Sequence, residues 1–577
     1  MIDLLLILLR TALVPLLLLA LLHRRRRGWR ALCVIARGVD RWAARPRIAV
    51  LSAGALGLAL SAGLSLARPP VAHIHDEFSY LLAGDTFAHG RAANPTHPLW
   101  PHFETFQVIF QPTYASKYPP AQGVALAVGE LLTGRPLVGV WLSVGLACAA
   151  LTWMLQGWLP CRWALWGGLL AAAQLALYGC AVPGQSPVGY WSQSFWGGAV
   201  AATGGALLFG AARRLVRGPR AGDALLLALG LVILANSRPF EGLVASLPVA
   251  VLLLARLTGR HRPPLRRALS RVVVPVLAVL VPAGAVMAWY NARVTGDPLL
   301  MPFELHERTY GVLPLFLWQP LRPQQPQRHE VIRAFYAGPM RDYYERQHSA
   351  DGLLREAARK GNILWAFYLG PALTLPLLAL PWALRQRWTA FALLVIAVLL
   401  AAMLATPPIF PHYAAPVTSL VFFVVIQSAR HLRLRVWRRR CRRPMALLRA
   451  IGLLVVPPAL LVWMFLQQRE PPPGWGYTRA ALLDSLKQRG GRHLVIVCYG
   501  PAHNPNLEWV YNEVDIDGSA VVWARDMGPD GNRELLDYYH RLQPDRRAWR
   551  LAADERRPGE PFPPLRPYDE SGADYGG

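Results

Sequence analysis

Repeated apolar runs, most of them near the 17–25 residues that cross a bilayer, limit more than any other feature what this sequence can fold into. In lipid such a run satisfies its backbone polar groups only as a helix, so a chain with many of them is a helical membrane protein. The runs are residues 4–22, 48–67, 136–156, 164–181, 195–212, 223–236, 242–257, 272–290, 363–383, 389–405, 414–429 and 446–467. They predict about twelve spans. In the first, the charges follow the apolar core instead of preceding it, so it reads as a span carrying Arg10 and not as a cleaved signal peptide.

Charge sets the orientation. The chain holds 61 Lys and Arg against 34 Asp and Glu, a formal net charge of +27. The excess is concentrated in short connections, His23–Arg47, Arg213–Arg220, Arg256–Arg271 and Arg430–Arg443, where Asp40 and Asp223 are the only acids in or beside them. Arginine in short loops marks the cytoplasmic side, which puts both termini outside. The same distribution reads as topology and not as nucleic-acid binding. Six cysteines (Cys33, Cys148, Cys161, Cys180, Cys441, Cys498) show no CxxC spacing, so neither a disulfide framework nor a zinc site is expected.

The opposite connections are long. Residues 68–120, extended to 135 by an apolar interfacial helix over Ala121–Leu132, form the first, 291–362 the second, and 468–577 a domain-sized tail. The tail reads as helix Tyr477–Arg489, strand His493–Tyr499, strand Ala520–Ala524, helix Asn532–Leu542 and strand Ala548–Leu551, a small α/β domain. The expected fold is therefore α-helical and polytopic over 1–467, with interfacial helices in the first outer loop and a soluble α/β domain over 468–577. Function is expected on the outer face, where long loops rest on a rigid scaffold.

The first outer loop opens with His73-Ile-His-Asp-Glu-Phe-Ser-Tyr80. Asp76 and Glu77 start an amphipathic pattern too short to span, and read either as helix-capping carboxylates, with Asp76 at the N-cap, or as chemical groups. His73 and His75 with Asp76 suit two metal ligands but not a complete site, the alternative being histidines that hydrogen-bond near headgroups. No cofactor is assigned, and a divalent metal stays open. In the tail, Asp515-Ile-Asp-Gly518 is read as a turn in preference to a metal loop. Lys117 precedes Tyr118-Pro-Pro120 in a chain with only three lysines (Lys117, Lys360, Lys487). Arg238 and Glu241 share a tight turn between two spans, where they either pair or leave Arg238 to grip a phosphate. His412-Tyr413 holds a similar position, and His412 is a second candidate to face a phosphate.

These residues resemble membrane glycosyltransferases of the C type (GT-C), in the branch of protein O-mannosyltransferases and the lipid A aminoarabinose transferase. The resemblance lies in the adjacent acids Asp76-Glu77, then Tyr80 and a small-residue helix ending His89-Gly90-Arg91. Lys117-Tyr-Pro-Pro120 is similar to a Lys-Pro-Pro segment with a tyrosine inserted, and His412-Tyr-Ala-Ala-Pro416 to the start of a late span. It covers roughly the first 140 residues by motif and the other spans by architecture. It implies a sugar donor linked to polyprenyl phosphate, used without a nucleotide sugar on the periplasmic face of a bacterial inner membrane, with the tail domain on that face too. Asp76 or Glu77 would then be the base that takes the acceptor's hydroxyl proton. Lys117, with Arg238 and His412, would neutralise the leaving phosphate, and His75, Tyr80, Tyr118, Glu241 and Tyr413 would contact substrate. Sugar and acceptor stay open. The alternative from another class is a transporter or flippase of a lipid-linked or anionic substrate, although transporters place ionisable groups at mid-membrane and these spans are nearly free of acids.

Overall fold

The computed structural model describes residues 37–178, 189–260, 262–438, 474–555 and 562–568. The expected spans 4–22 and 446–467, and Cys33, Cys180 and Cys441, lie outside them. Seven of the described helices are long and apolar enough to cross a membrane: Pro46–Ala67, Pro136–Trp158, Gly198–Arg217, Pro239–Thr258, Leu265–Thr295, Arg387–Leu404 and Pro411–Leu432. Two of the other expected spans form shorter helices, Cys161–Leu177 and Ala221–Ala235. Leucines and valines stand exposed along the membrane-length helices, among them Leu51, Val251, Val281 and Leu394. Side chains of that kind are stable in lipid and costly in water.

The chain divides into two compact units, each built from three separated stretches. One holds residues up to Pro69, Leu137–Gly284 and Leu353–Arg469. Small residues let its helices meet closely, as in other membrane bundles. A Cβ on Gly54 would lie 3.1 Å from both Ala149 Cβ and the Gly145 carbonyl, and one on Gly145 would lie 3.1 Å from the Gly54 carbonyl. The expected span 363–383 is corrected here. An amphipathic helix runs over Ala350–Tyr368 and is followed by the short pieces Gly370–Thr374, Leu375–Ala379 and Leu380–Ala383. Gly370 at φ 54° turns the chain, and Pro371, Pro376 and Pro381 each lack the amide that a continuous helix would need. The apolar content was legible, but the run is not one helix.

The other unit holds Pro70–Pro136, Ala285–Gly352 and Glu470–Gly577. Helices His75–Ala88 and Pro120–Thr133 pack face to face through glycines: a Cβ on Gly84 would come within 2.8 Å of Leu126 Cβ, and one on Gly123 within 2.7 Å of Ala83 Cβ. Between them lies a small antiparallel sheet of β1 (Asn94–Pro95), β2 (Val108–Ile109) and β3 (Thr113–Ser116), in the order β1-β3-β2.

The tail forms a second sheet from β4 (His493–Cys498), β5 (Val521–Arg525), β6 (Arg547–Ala552) and β7 (Leu565–Pro567), ordered β5-β4-β6-β7. β4 pairs in parallel with β5 and β6, and β7 closes the edge antiparallel to β6. β4 is buried on both faces, and its alternation divides the core. Val495 and Val497 pack with Leu482 and Leu486 of helix Trp475–Gln488, while Leu494 and Ile496 pack with Leu535, Leu536 and Tyr539 of helix Gly528–Leu542. The second face also takes in Leu82, Phe103, Phe110 and Tyr114 from the first loop. Loop and tail thus share one core.

Candidate functional site

Helix His75–Ala88 begins at the end of an extended segment, with Ile74 as N-cap and no side-chain cap. This corrects the expectation that Asp76 is the N-cap. Glu77, buried, takes the structural part: its carboxylate accepts the His73 backbone N–H at 2.9 Å. Asp76, one position earlier and half-buried, is turned elsewhere and accepts a hydrogen bond from the Tyr118 hydroxyl. The tyrosine inserted into the Lys-Pro-Pro-like segment therefore orients the carboxylate, and the Tyr80 ring stacks on Tyr118 at 4.3 Å.

Lys117 is buried and donates to Glu307 Oε1 at 3.0 Å, with side-chain exposures of 7% and 13%. Its ammonium also sits 4.9 Å from the Phe303 ring centre and 5.5 Å from that of Tyr118. Burial, the largest single influence, would push the Glu307 carboxyl up, but the Lys117 charge and hydrogen bond together with neighbouring His306 outweigh it and hold the group well below the usual carboxylate range. His306 Nδ1 lies 3.6 Å from the same Glu307 oxygen, and among the described residues neither ring nitrogen of His306 finds a hydrogen-bond partner. Burial lowers this imidazole to about 4. Tyr336, at the start of a π-helical turn over Tyr336–Met340, is buried, its hydroxyl without a hydrogen-bond partner among the described residues, and feels the charges of both Glu307 and Asp76. Two carboxylates, one ammonium and a ring of phenols thus gather in one unit.

His75 is fully packed. Its ring stacks on Phe106 at 4.2 Å, and Nδ1 meets the Tyr511 hydroxyl at 2.6 Å. Burial, then repulsion by Arg525, lowers it to about 3, so it is neutral. Phe78 stacks on Tyr511 at 4.0 Å, and the Arg479 guanidinium, which donates to the Trp509 and Tyr511 carbonyls, lies 4.9 Å from the Phe78 ring centre. The tail therefore braces the helix that carries Asp76. Asp515 accepts the Gly518 N–H at 3.0 Å, and Asp517 takes both the Tyr538 and Tyr539 hydroxyls, the bonding of a turn tied to its own helix. Among the described residues no group of three or more His, Cys, Asp or Glu is placed to hold a metal ion.

The remaining expected residues belong to the other unit. The Arg238 guanidinium lies 4.1 Å from the Tyr413 ring centre, and Glu241, buried, feels its charge. His412 Nδ1 meets the Tyr190 hydroxyl at 2.8 Å, and its ring stacks with Trp196 at 5.2 Å and Phe410 at 5.8 Å. Arg238, Tyr413 and His412 form one local cluster, and Asp76, Tyr118 and Lys117 another.

The sequence reading missed Glu307, His306, Tyr336 and Tyr511. Glu307 was visible only as part of the charged stretch Glu304-Leu-His-Glu-Arg308, which reads as a solvated helix face. Nothing local marks it as the partner of a lysine 190 residues earlier.

No family model matches the chain, and no curated protein does. Solved structures do. The chain is similar to a crystal structure of the Archaeoglobus fulgidus oligosaccharyltransferase with Zn and sulfate, at 11% identity over 77% of this chain and 60% of that one, with a TM-score of 0.46. It is similar to ArnT from Cupriavidus metallidurans in the apo state, at 14% identity over 86% of this chain and 92% of that one, with a TM-score of 0.46. A structure of AglB from Archaeoglobus fulgidus with an inhibitory peptide and a dolichol-phosphate matches at 12% identity over 77% and 62%, with a TM-score of 0.40. The chain spans about three fifths of the length of these archaeal structures. At this level of superposition the functional reading rests on the chain's own residues.

Proposed function

We propose that this membrane protein is a glycosyltransferase that moves a sugar from a polyprenyl-phosphate-linked donor to a hydroxyl acceptor on the outer face of the membrane. The observation that carries the reading is the pairing of Asp76 with Tyr118, next in sequence to the buried cation Lys117.

In the reaction the acceptor oxygen attacks the anomeric carbon, the bond from that carbon to the phosphate oxygen breaks, and the acceptor proton passes to Asp76. The Tyr118 hydroxyl fixes one oxygen of Asp76. A carboxylate held in one direction reaches a bound hydroxyl without searching, which is what a general base requires. The polyprenyl phosphate departs as a stable anion, so the leaving group needs positive charge and no strong acid. Lys117 supplies that charge, and Tyr80, stacked on Tyr118, shapes the surroundings.

The test is mass spectrometry of outer-leaflet glycolipids and glycoproteins from cells with the protein, without it, and with Asp76→Asn. A sugar-bearing species present only with the wild-type chain supports the reading. Identical profiles in all three would sink it.

A further inference from the structure

Outside these clusters, among the described residues, lies an open cleft of ≈ 710 Å³ lined by Pro219, Arg220, Ala221, Gly222, Pro264, Arg266, Arg267, Ser270 and Arg271. Four arginines line it and no acid does. All four are exposed. Asp223 lies buried in the first turn of helix Ala221–Ala235 and interacts electrostatically with Arg214 and Arg220. Gathering four guanidinium groups costs Coulomb energy unless an anion sits among them. The lining also includes the first two residues of helix Ala221–Ala235, which has no side-chain cap, and the π-helical turn Leu269–Val273 brings in Ser270 and Arg271.

The flanks say what kind of anion. The cleft lies where membrane-length helix Pro239–Thr258 has ended and Leu265–Thr295 begins. On those helices and on Ala221–Ala235, next to the arginines, Leu225, Leu254, Leu265 and Leu269 are exposed, Leu265 at 74%. Cations above exposed aliphatic side chains match a phospholipid, with its phosphate at the helix ends and acyl chains alongside the leucines. A soluble anion would need only the first of these.

We propose that this cleft binds the phosphodiester headgroup of an anionic phospholipid. Guanidinium groups take phosphate oxygens in bidentate fashion, so two or three of the arginines suffice for one headgroup. The site is independent of the transferase reading, because its residues belong to neither cluster described above.

Native mass spectrometry of the full-length protein, released from micelles containing equal phosphatidylglycerol and phosphatidylcholine, tests this. Wild type should retain phosphatidylglycerol preferentially, and Arg266→Gln with Arg271→Gln should lower that retention about tenfold or more, since each such arginine is worth roughly fivefold. All four side chains are exposed, so the fold is not at stake. Arg260→Gln with Arg262→Gln removes the same charge from the same connection outside the lining and should leave retention unchanged. Equal loss in both pairs would reduce the effect to general surface charge and overturn the site. Release of the lipid by millimolar inorganic phosphate would make it a site for free anions and overturn the lipid assignment.

Discussion

Glu307 Oε1 lies 3.0 Å from Lys117 Nζ, so a carboxylate from the second long loop neutralises the buried cation of the first. The pair is buried, and a buried charge that loses its partner is far more costly than a pair that is lost whole. On the proposed function, a donor phosphate arriving at Lys117 would exchange one anion for another instead of meeting a naked ammonium.

The first prediction follows from that asymmetry. Lys117→Met alone, or Glu307→Gln alone, should destabilise the purified protein by roughly 3–5 kcal/mol, and the double variant should recover much of the loss. Thermal melts of the four proteins in detergent close the cycle. Additive losses would mean that the two side chains do not act as a pair.

Why the pair escaped a reading of the sequence is instructive. The membrane-length runs and the arginine loops are signals carried within windows of about 20 residues, and they locate most of the seven membrane-length helices among the described residues within a few positions. Tail strands β4 and β5 are legible from their β-branched residues and β6 from the apolar positions of Ala548–Leu551, whereas β7, only Leu565–Pro567, carries no pattern of its own. Run 363–383 failed because mean apolarity outweighed its prolines. Asp76 and Lys117 stand out because they interrupt an otherwise patterned loop. Their partners do not: Tyr118 enters only as a substrate contact that the resemblance implies, Glu307 reaches Lys117 from 190 residues away, and Tyr511 reaches neighbouring His75 from 436. Pairing at such separation is made by the fold and leaves no local periodicity.

The buried histidines give a pH dependence. An unfolded histidine takes a proton below its ordinary 6.5, whereas His75 in the fold does so only near 3 and His306 near 4. Between those values the unfolded chain binds more protons, so stability falls as pH drops below 6.5. His75→Gln should flatten the melting temperature against pH between 7.5 and about 5, and the flattening should be partial because His306 remains. A curve parallel to wild type would show that His75 is not responsible.

Orientation can be checked at two exposed side chains. Leu299, on the second long loop, is 89% exposed, and Arg262, in the arginine-rich connection, is exposed as well. In intact cells Leu299→Cys should react with a membrane-impermeant maleimide, while Arg262→Cys should react only after lysis. The reverse pattern would invert the topology and move the proposed active face to the cytoplasm.

The last prediction separates the two adjacent acids. Glu77 is committed to the His73 backbone N–H, and Asp76 to the Tyr118 hydroxyl. They sit about 100° apart around the helix, so one reacting hydroxyl cannot be shared evenly between them. Asp76→Asn keeps the size and an acceptor for Tyr118 but removes the base, and transfer should fall by about 10²-fold or more while folding is kept. Glu77→Gln leaves an oxygen for the His73 amide, so its main effect should be a modest loss of stability with little loss of turnover. Tyr118→Phe should fall between the two, since Asp76 keeps its charge but loses its fixed direction. Single-turnover transfer at saturating donor separates turnover from binding, and a melt of each variant separates both from stability. Normal turnover in Asp76→Asn with loss in Glu77→Gln would exchange the two roles. Normal turnover in both would remove this helix from the chemistry.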